Sequence, residues 1–172
     1  MTQTFTELRN LIGTLDGSSL REYWPCSDTV TKLPKGAITQ VCGAGKTEFV
    51  VEFLREHSGF RVAWIEPLLS IYPSGIIQRD VNLNRILFIE AGKEFPWVVQ
   101  QVFKTSLFEV VILTSTIEDL KMLRRFQLAA EKAHASLILL SESFSNAWPV
   151  ELQLKSSRNH GGRINVNVIR KR

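Results

Sequence analysis

Apolar and polar positions change rhythm several times along this chain, and each change marks an element. Phe5, Leu8, Leu11, Ile12 and Leu15 recur at helical spacing and Asp16-Gly17-Ser18-Ser19 ends the run, so a short N-terminal helix is expected over residues 4–15. Tyr23-Trp24-Pro25 and Lys32-Leu33-Pro34-Lys35-Gly36 then read as an extended connection, which closes an N-terminal unit over residues 1–32. From Ala37 onward, short strand-like runs alternate with helical ones. Strands are expected at Ala37–Val41, Arg61–Ile65, Arg85–Ile89, Glu109–Leu113 and Ser136–Leu140, with helices at Lys46–His57, Pro73–Asp80, Glu94–Thr105 and Ile117–His134. That alternation predicts an α/β fold with a mainly parallel sheet and helices on both faces. Val110-Val111-Ile112-Leu113 and Leu137-Ile138-Leu139-Leu140 are continuously apolar, as strands covered on both sides must be.

The tail has another pattern. Val150–Lys155 and Arg163–Ile169 alternate apolar and polar residues, with Ser156 to Gly162 between them, which predicts an antiparallel hairpin on the sheet edge with one face toward water. Composition adds little: 172 residues, 44% of them hydrophobic and 22% charged, suit one globular domain. Charge adds more. Net charge is +4, yet residues 155–172 hold six of the 21 basic residues and no acid, leaving fifteen basic against seventeen acidic groups before them. Cys26 and Cys42 have neither metal-ligand nor disulfide-framework spacing, and no signal peptide or membrane span is evident, so a cytoplasmic protein without membrane association is expected.

One junction carries candidate chemistry. The strand at Ala37–Val41 runs through Gly43-Ala44-Gly45-Lys46-Thr47 into a helix, which is the place and the ending of a phosphate-binding loop. The full pattern is G-x-x-x-x-G-K-[ST], because a long turn must wrap its N–H groups around phosphate before Lys and Thr reach in. Counting back from Gly45 puts the first glycine position at Gln40; starting at Gly43 leaves three residues of the wrap missing. Gly43, Gly45, Lys46 and Thr47 are therefore candidate residues of a degenerate phosphate loop. A tight strand-to-helix turn is the structural alternative.

The order of these pieces resembles the RecA superfamily, and within it the small RecA-like proteins of the bacterial DNA-damage response, ImuA and SulA. Leu33-Pro34-Lys35-Gly36-Ala37-Ile38-Thr39-Gln40-Val41 is similar to that family's approach to its first core strand, with Gly45-Lys46-Thr47 opening the next helix. Val62-Ala63-Trp64-Ile65-Glu66-Pro67 resembles the second strand, Val81 to Leu87 the approach to the third, and Leu152–Lys155 with Arg163–Arg172 the terminal hairpin. The resemblance covers residues 33–172 and implies a RecA-like three-layer core. It also implies loss of catalysis. Thr114 stands where a magnesium-holding acid is expected, Leu68 where a glutamate would activate water, and Ser141-Glu142-Ser143 where a phosphate-sensing glutamine would lie. Glu66, two residues before Leu68, is the candidate substitute.

The resulting expectation is a non-catalytic RecA-like accessory protein, ImuA-like, working in translesion synthesis or repair by binding proteins such as a Y-family polymerase-like subunit or RecA itself. No metal or obligatory cofactor is implied; ATP at Lys46 is the nucleotide left open. The N-terminal helix is a candidate for self-association or for docking onto a neighbour. Arg124 and Arg125 lie on an amphipathic helix whose Leu120, Leu123, Gln127 and Ala129-Ala130 face the sheet, with Lys121 and Lys132 also outside. Together with Arg163, Arg170, Lys171 and Arg172 they form the candidate basic surface for weak DNA or partner binding. A divergent ATPase, a SulA-like cell-division inhibitor and a single-stranded-DNA module are the alternatives. The loops after Leu113 and Leu140 are short and carry no cation, which argues against a RecA-like grip on DNA. The four tryptophans are expected in the core or at its boundary.

Overall fold

The computed structural model describes residues 22–26 and 32–172. The helix expected over residues 4–15 lies outside the described residues, as does most of the N-terminal unit. Its described parts, β1 (Tyr23–Trp24) and β2 (Leu33–Pro34), pair antiparallel rather than forming a plain extended connection. The ribbon is anchored by Trp24, whose Nε1 donates to the Ser136 hydroxyl at 3.2 Å while its ring meets Phe60 edge-on at 4.5 Å and lies 3.7 Å beneath Lys35 Nζ.

The main sheet contains β3 (Ile38–Gly43), β4 (Val62–Glu66), β5 (Ile86–Glu90), β6 (Val110–Thr114), β7 (Ser136–Ser141), β8 (Val150–Arg158) and β9 (Ile164–Lys171) in the spatial order β5-β4-β6-β7-β3-β8-β9. Six strands are parallel, and β9 alone runs antiparallel, against β8. The tail hairpin thus joins the sheet as expected, with β8 parallel to β3. β8 reaches Arg158, past the expected Lys155, and is largely buried because it lies between two strands; of the two hairpin strands, β9 lies at the sheet edge. Side chains alternate between two cores. Trp64, Val110, Ile112 and Ile138 pack on one face with α1 (Lys46–Glu56) and α2 (Pro73–Ile77); Ile65, Val111, Leu113 and Leu137 pack on the other with α3 (Phe95–Thr105) and α4 (Leu120–Ala133). This two-sided cover is why the parallel strands read as unbroken apolar runs.

Local chemistry sets the helix limits. α4 begins three residues later than the apolar pattern suggested, because the Asp119 carboxylate accepts from Lys121 N–H at 2.8 Å and caps the helix there. Leu120 is consequently 51% exposed, and Leu123, Phe126 and Ala130 form the buried stripe instead. The expected Pro73–Asp80 helix stops at Ile77. The C-terminal end of α1 is held by Arg85, whose guanidinium donates to the carbonyls of Leu54, His57 and Phe60. Burial pushes the Arg85 pKa down. No helix among the described residues is long and apolar enough to cross a membrane.

Candidate functional site

β3 delivers the glycine-lysine-threonine segment to the C-terminal rim of the sheet, where open α/β sheets place their ligand sites. The segment is a tight turn. Gly43 has φ 103° and continues the β3–β8 pairing opposite Ser156, so closely that a Cβ there would lie 2.2 Å from the Ser156 carbonyl oxygen. Gly45 (φ 85°) then starts α1, its carbonyl accepting from Phe49 N–H at 2.9 Å, with no side-chain cap. A Cβ on Gly45 would sit 3.4 Å from the Ile164 side chain, so β9 lies over the turn. Lys46 folds across to the end of β7, where its Nζ donates to the Ser141 carbonyl at 3.2 Å and forms an ion pair with the Glu142 carboxylate. The lysine is directed to protein atoms.

Beneath the turn lies a polar cluster that sequence reasoning missed. Gln40, at the position of the absent first glycine, is fully buried. Its Nε2 donates to the Ser141 hydroxyl at 2.8 Å and the Ser143 carbonyl at 2.9 Å, while its Oε1 accepts from Ser145 N–H at 3.1 Å and Gln153 Nε2 at 2.7 Å. Gln153 also donates to the Ser145 carbonyl at 2.6 Å. The two glutamines face each other in the β3–β8 register and tie the segment after β7 to both strands. The available signal was a glutamine within each of two strand-like runs, Gln40 between Thr39 and Val41 and Gln153 between Leu152 and Leu154. Cys42 lies 3.1 Å from the Ser141 hydroxyl, and burial pushes its thiol pKa up. That environment disfavours a nucleophilic thiolate.

A second cluster forms where β4 and β6 end. Glu66 is 3% exposed, and five donors converge on its carboxylate: Oε1 accepts from Trp64 Nε1 and the Thr114 hydroxyl, each at 3.1 Å, and Oε2 accepts from Ser70 N–H at 2.5 Å, the Ser70 hydroxyl at 3.1 Å and Ile71 N–H at 3.1 Å. Burial pushes its pKa up, but the bonds from Ser70, Trp64, Ile71 and Thr114 outweigh burial, and the carboxyl lies below its ordinary value. A general base near neutrality needs the opposite tuning. Glu66 anchors the loop that follows it, and that loop displays Leu68 (74% exposed) and Tyr72 (71% exposed) to solvent. Thr114, at the end of β6, is a donor to this carboxylate.

The candidate basic residues fall into two places: Arg163 stands at the start of β9, while Arg170, Lys171 and Arg172 stand at its finish, where Arg170 and Arg124 both meet the segment Ala147-Trp148. Arg163 precedes β9 and Lys171 ends it, roughly 25 Å apart at about 3.3 Å per residue. Arg170 serves the loop before β8, donating to the Ala147 carbonyl at 2.8 Å, and burial followed by the neighbouring Arg172 charge lowers its pKa. Lys171 Nζ lies 4.9 Å over the Tyr23 ring, and Arg172 N–H donates to the Glu151 carbonyl at 3.0 Å. Arg124, on the α4 side, donates to Gln127 Oε1 at 2.8 Å and stacks 4.7 Å from the Trp148 ring; Arg125 beside it is exposed. Trp148 (50% exposed) and Trp97 (61%) are surface residues, unlike buried Trp64.

Between α1 and the β8–β9 hairpin runs a groove of about 630 Å3. Phe49, Ile164 and Val166 give it an apolar floor, and Arg55, Arg79, Arg158 and Arg163 line its walls with Glu48 and Glu52. Among the described residues, no group of three or more His, Cys, Asp or Glu side chains is placed to hold a metal ion. No protein-family model matches the chain, and no curated protein matches it.

Proposed function

We propose that this protein is a non-catalytic RecA-like accessory protein of the DNA-damage response, acting by binding other proteins in translesion synthesis or repair. The observation that carries the reading is the position of Lys46. It opens the helix after the first strand of the main sheet, at the rim where a phosphate-binding lysine would stand, and its amine lies on the Ser141 carbonyl and the Glu142 carboxylate. Phosphoryl transfer depends on positioning and on neutralising charge around the transferred group. Here the loop lacks its wrap, Thr114 has no charge to hold magnesium, and Glu66 is immobilised by five hydrogen bonds with its pKa lowered. Leu68 is an exposed apolar residue with no proton to exchange. A function in recognition is consistent with the anchored loop that presents Leu68 and Tyr72, since exposed apolar side chains on a fixed backbone suit protein contacts.

Two measurements test the reading. Titration calorimetry with ATP and magnesium should give no saturable heat, and purified protein should release no phosphate above the level of Lys46→Ala. Pull-down from cells treated with a DNA-damaging agent should recover a polymerase, recombinase or nucleoprotein component. Steady Lys46-dependent phosphate release overturns the non-catalytic reading, and recovery of a cell-division GTPase instead moves the protein to the SulA-like alternative.

A further inference from the structure

We propose that the open edge of β9, together with the arginine-walled groove beside α1, is a docking site for an extended acidic peptide segment of a partner protein, received as an additional strand. The sheet order leaves β9 paired with β8 alone among the described residues, so one side of its backbone has no strand partner. An eight-residue edge strand is usually protected by proline, by inward-pointing charge or by a cover. β9 contains no proline; its charged residues, Arg170 and Lys171, and the irregularity in its pairing with β8 lie toward its finish, while Val168 (47% exposed) and Ile169 (51% exposed) are exposed along it. Strand addition to such an edge is a recurrent way of binding peptides, with backbone hydrogen bonds supplying affinity and alternate side chains supplying selectivity.

The groove determines the selectivity. Glu48, Glu52 and Arg55 lie at i, i+4 and i+7 of α1 and form one wall along the helix, while Arg158 and Arg163 flank the hairpin turn opposite. Two carboxylates face four guanidinium groups. Glu48 pairs with Arg158, and Glu52 is shared between Arg55 at 2.6 Å and Arg79 at 3.2 Å. The Arg163 side chain has no carboxylate partner among the described residues and is exposed. The groove therefore carries a net charge of +2 over an apolar floor of Phe49, Ile164 and Val166. A strand beside β9 places every second side chain on the α1 face, at a spacing of about 7 Å. Acidic residues at those positions complement the arginines, and apolar ones at the others can cover Ile169. Complementary charge also speeds encounter and rejects basic segments.

The site rests on the reading that this protein acts by binding proteins, and the test separates the two. The probe is a fluorescein-labelled peptide of eight alternating Glu and Val residues, titrated against the full chain by anisotropy. Saturable binding is expected that weakens at least tenfold in Arg163→Glu and with rising salt, and that is abolished by N-methylation of alternate peptide amides in one of the two possible sets but not the other. A Lys-Val peptide that binds equally, or an Arg163→Glu variant that binds unchanged, overturns the proposal. Oligodeoxythymidine binding that is lost in Arg163→Glu, with no binding of the peptide, reassigns the groove to nucleic acid. A dimer that Val168→Lys dissociates, or protection from exchange in the monomer of the β9 amides that point away from β8, gives the edge to a second copy or to the chain's own covering segment and also overturns it. A pull-down that recovers no repair protein while the peptide still binds removes only the DNA-damage assignment; partner recovery undiminished in Arg163→Glu removes only the groove.

Discussion

Lys46 and Glu142 form an ion pair across 96 residues of sequence, and the lysine is its covered member, 17% exposed against 89% for the glutamate. The pair bridges the start of α1 and the end of β7 at the C-terminal rim of the parallel strands. Its carboxylate is solvated and easily screened, so the contact holds the amine in place more than it stabilises the fold.

Lys46→Ala and Glu142→Ala should therefore each change stability by about 1 kcal/mol or less, as partly exposed ion pairs do. Urea midpoints at low and high salt check this. A loss of about 3 kcal/mol in either variant would show that the lysine end is integral to the core.

Gln40 behaves differently. Gln40→Leu removes the partner of Gln153 Nε2 and of Ser145 N–H inside the protein, and should cost about 2–3 kcal/mol. Gln40→Leu combined with Gln153→Leu should recover part of that loss, because an apolar pair leaves fewer orphaned groups than one unmatched amide. A double-mutant cycle measures the coupling. Strictly additive losses would mean that the facing glutamines are energetically independent.

Glu66 gives a pH signature. Its folded pKa lies below its ordinary value of 4.5, so its contribution is complete above about pH 4.5 and is lost as pH falls through the lower folded value. Wild type should exceed Glu66→Gln in stability by about 2–4 kcal/mol at neutral pH, since the buried donors prefer a charged acceptor, and the difference should shrink as pH falls toward 3. Denaturant unfolding across that range decides it. A difference that stays constant would contradict the depressed carboxyl.

The two glycines of the turn should separate clearly. Gly43→Ala drives a methyl into the Ser156 carbonyl oxygen and should cost about 3 kcal/mol or more, whereas Gly45→Ala meets only the movable Ile164 side chain and should cost roughly 1–2 kcal/mol for its positive φ. Thermal midpoints in the reverse order would refute the close β3–β8 approach.

Every strand of the main sheet was legible in the apolar rhythm, because burial on two faces leaves an unbroken apolar run and a water-facing edge leaves an alternating one, each a mark on the strand itself. Their spatial order was not. Parallel partners are joined by long crossovers, and nothing in Val110–Thr114 indicates that it will lie between β4 and β7. Element ends went astray where one side chain decided them, as Asp119 did for α4. At the candidate site, the incomplete glycine pattern correctly placed Gly43 and Lys46 on a strand-to-helix turn, but the side chains that fill the neighbourhood, Gln40 and Glu142, come from a strand interior and from a distant loop. The basic tail misled for a related reason. Cations close together in sequence were separated by an extended strand, Arg163 before the start of β9 and Arg170, Lys171 and Arg172 at its finish.

The contact between Tyr23 and Lys171 places the finish of β9 beside β1, on the rim opposite the Lys46 turn. A tether or fluorophore attached after Arg172 therefore leaves from the far side of the molecule. Protein immobilised through that end presents the helix-start turn and the hairpin tip outward, so surface-based measurements can be made without the linker obstructing them.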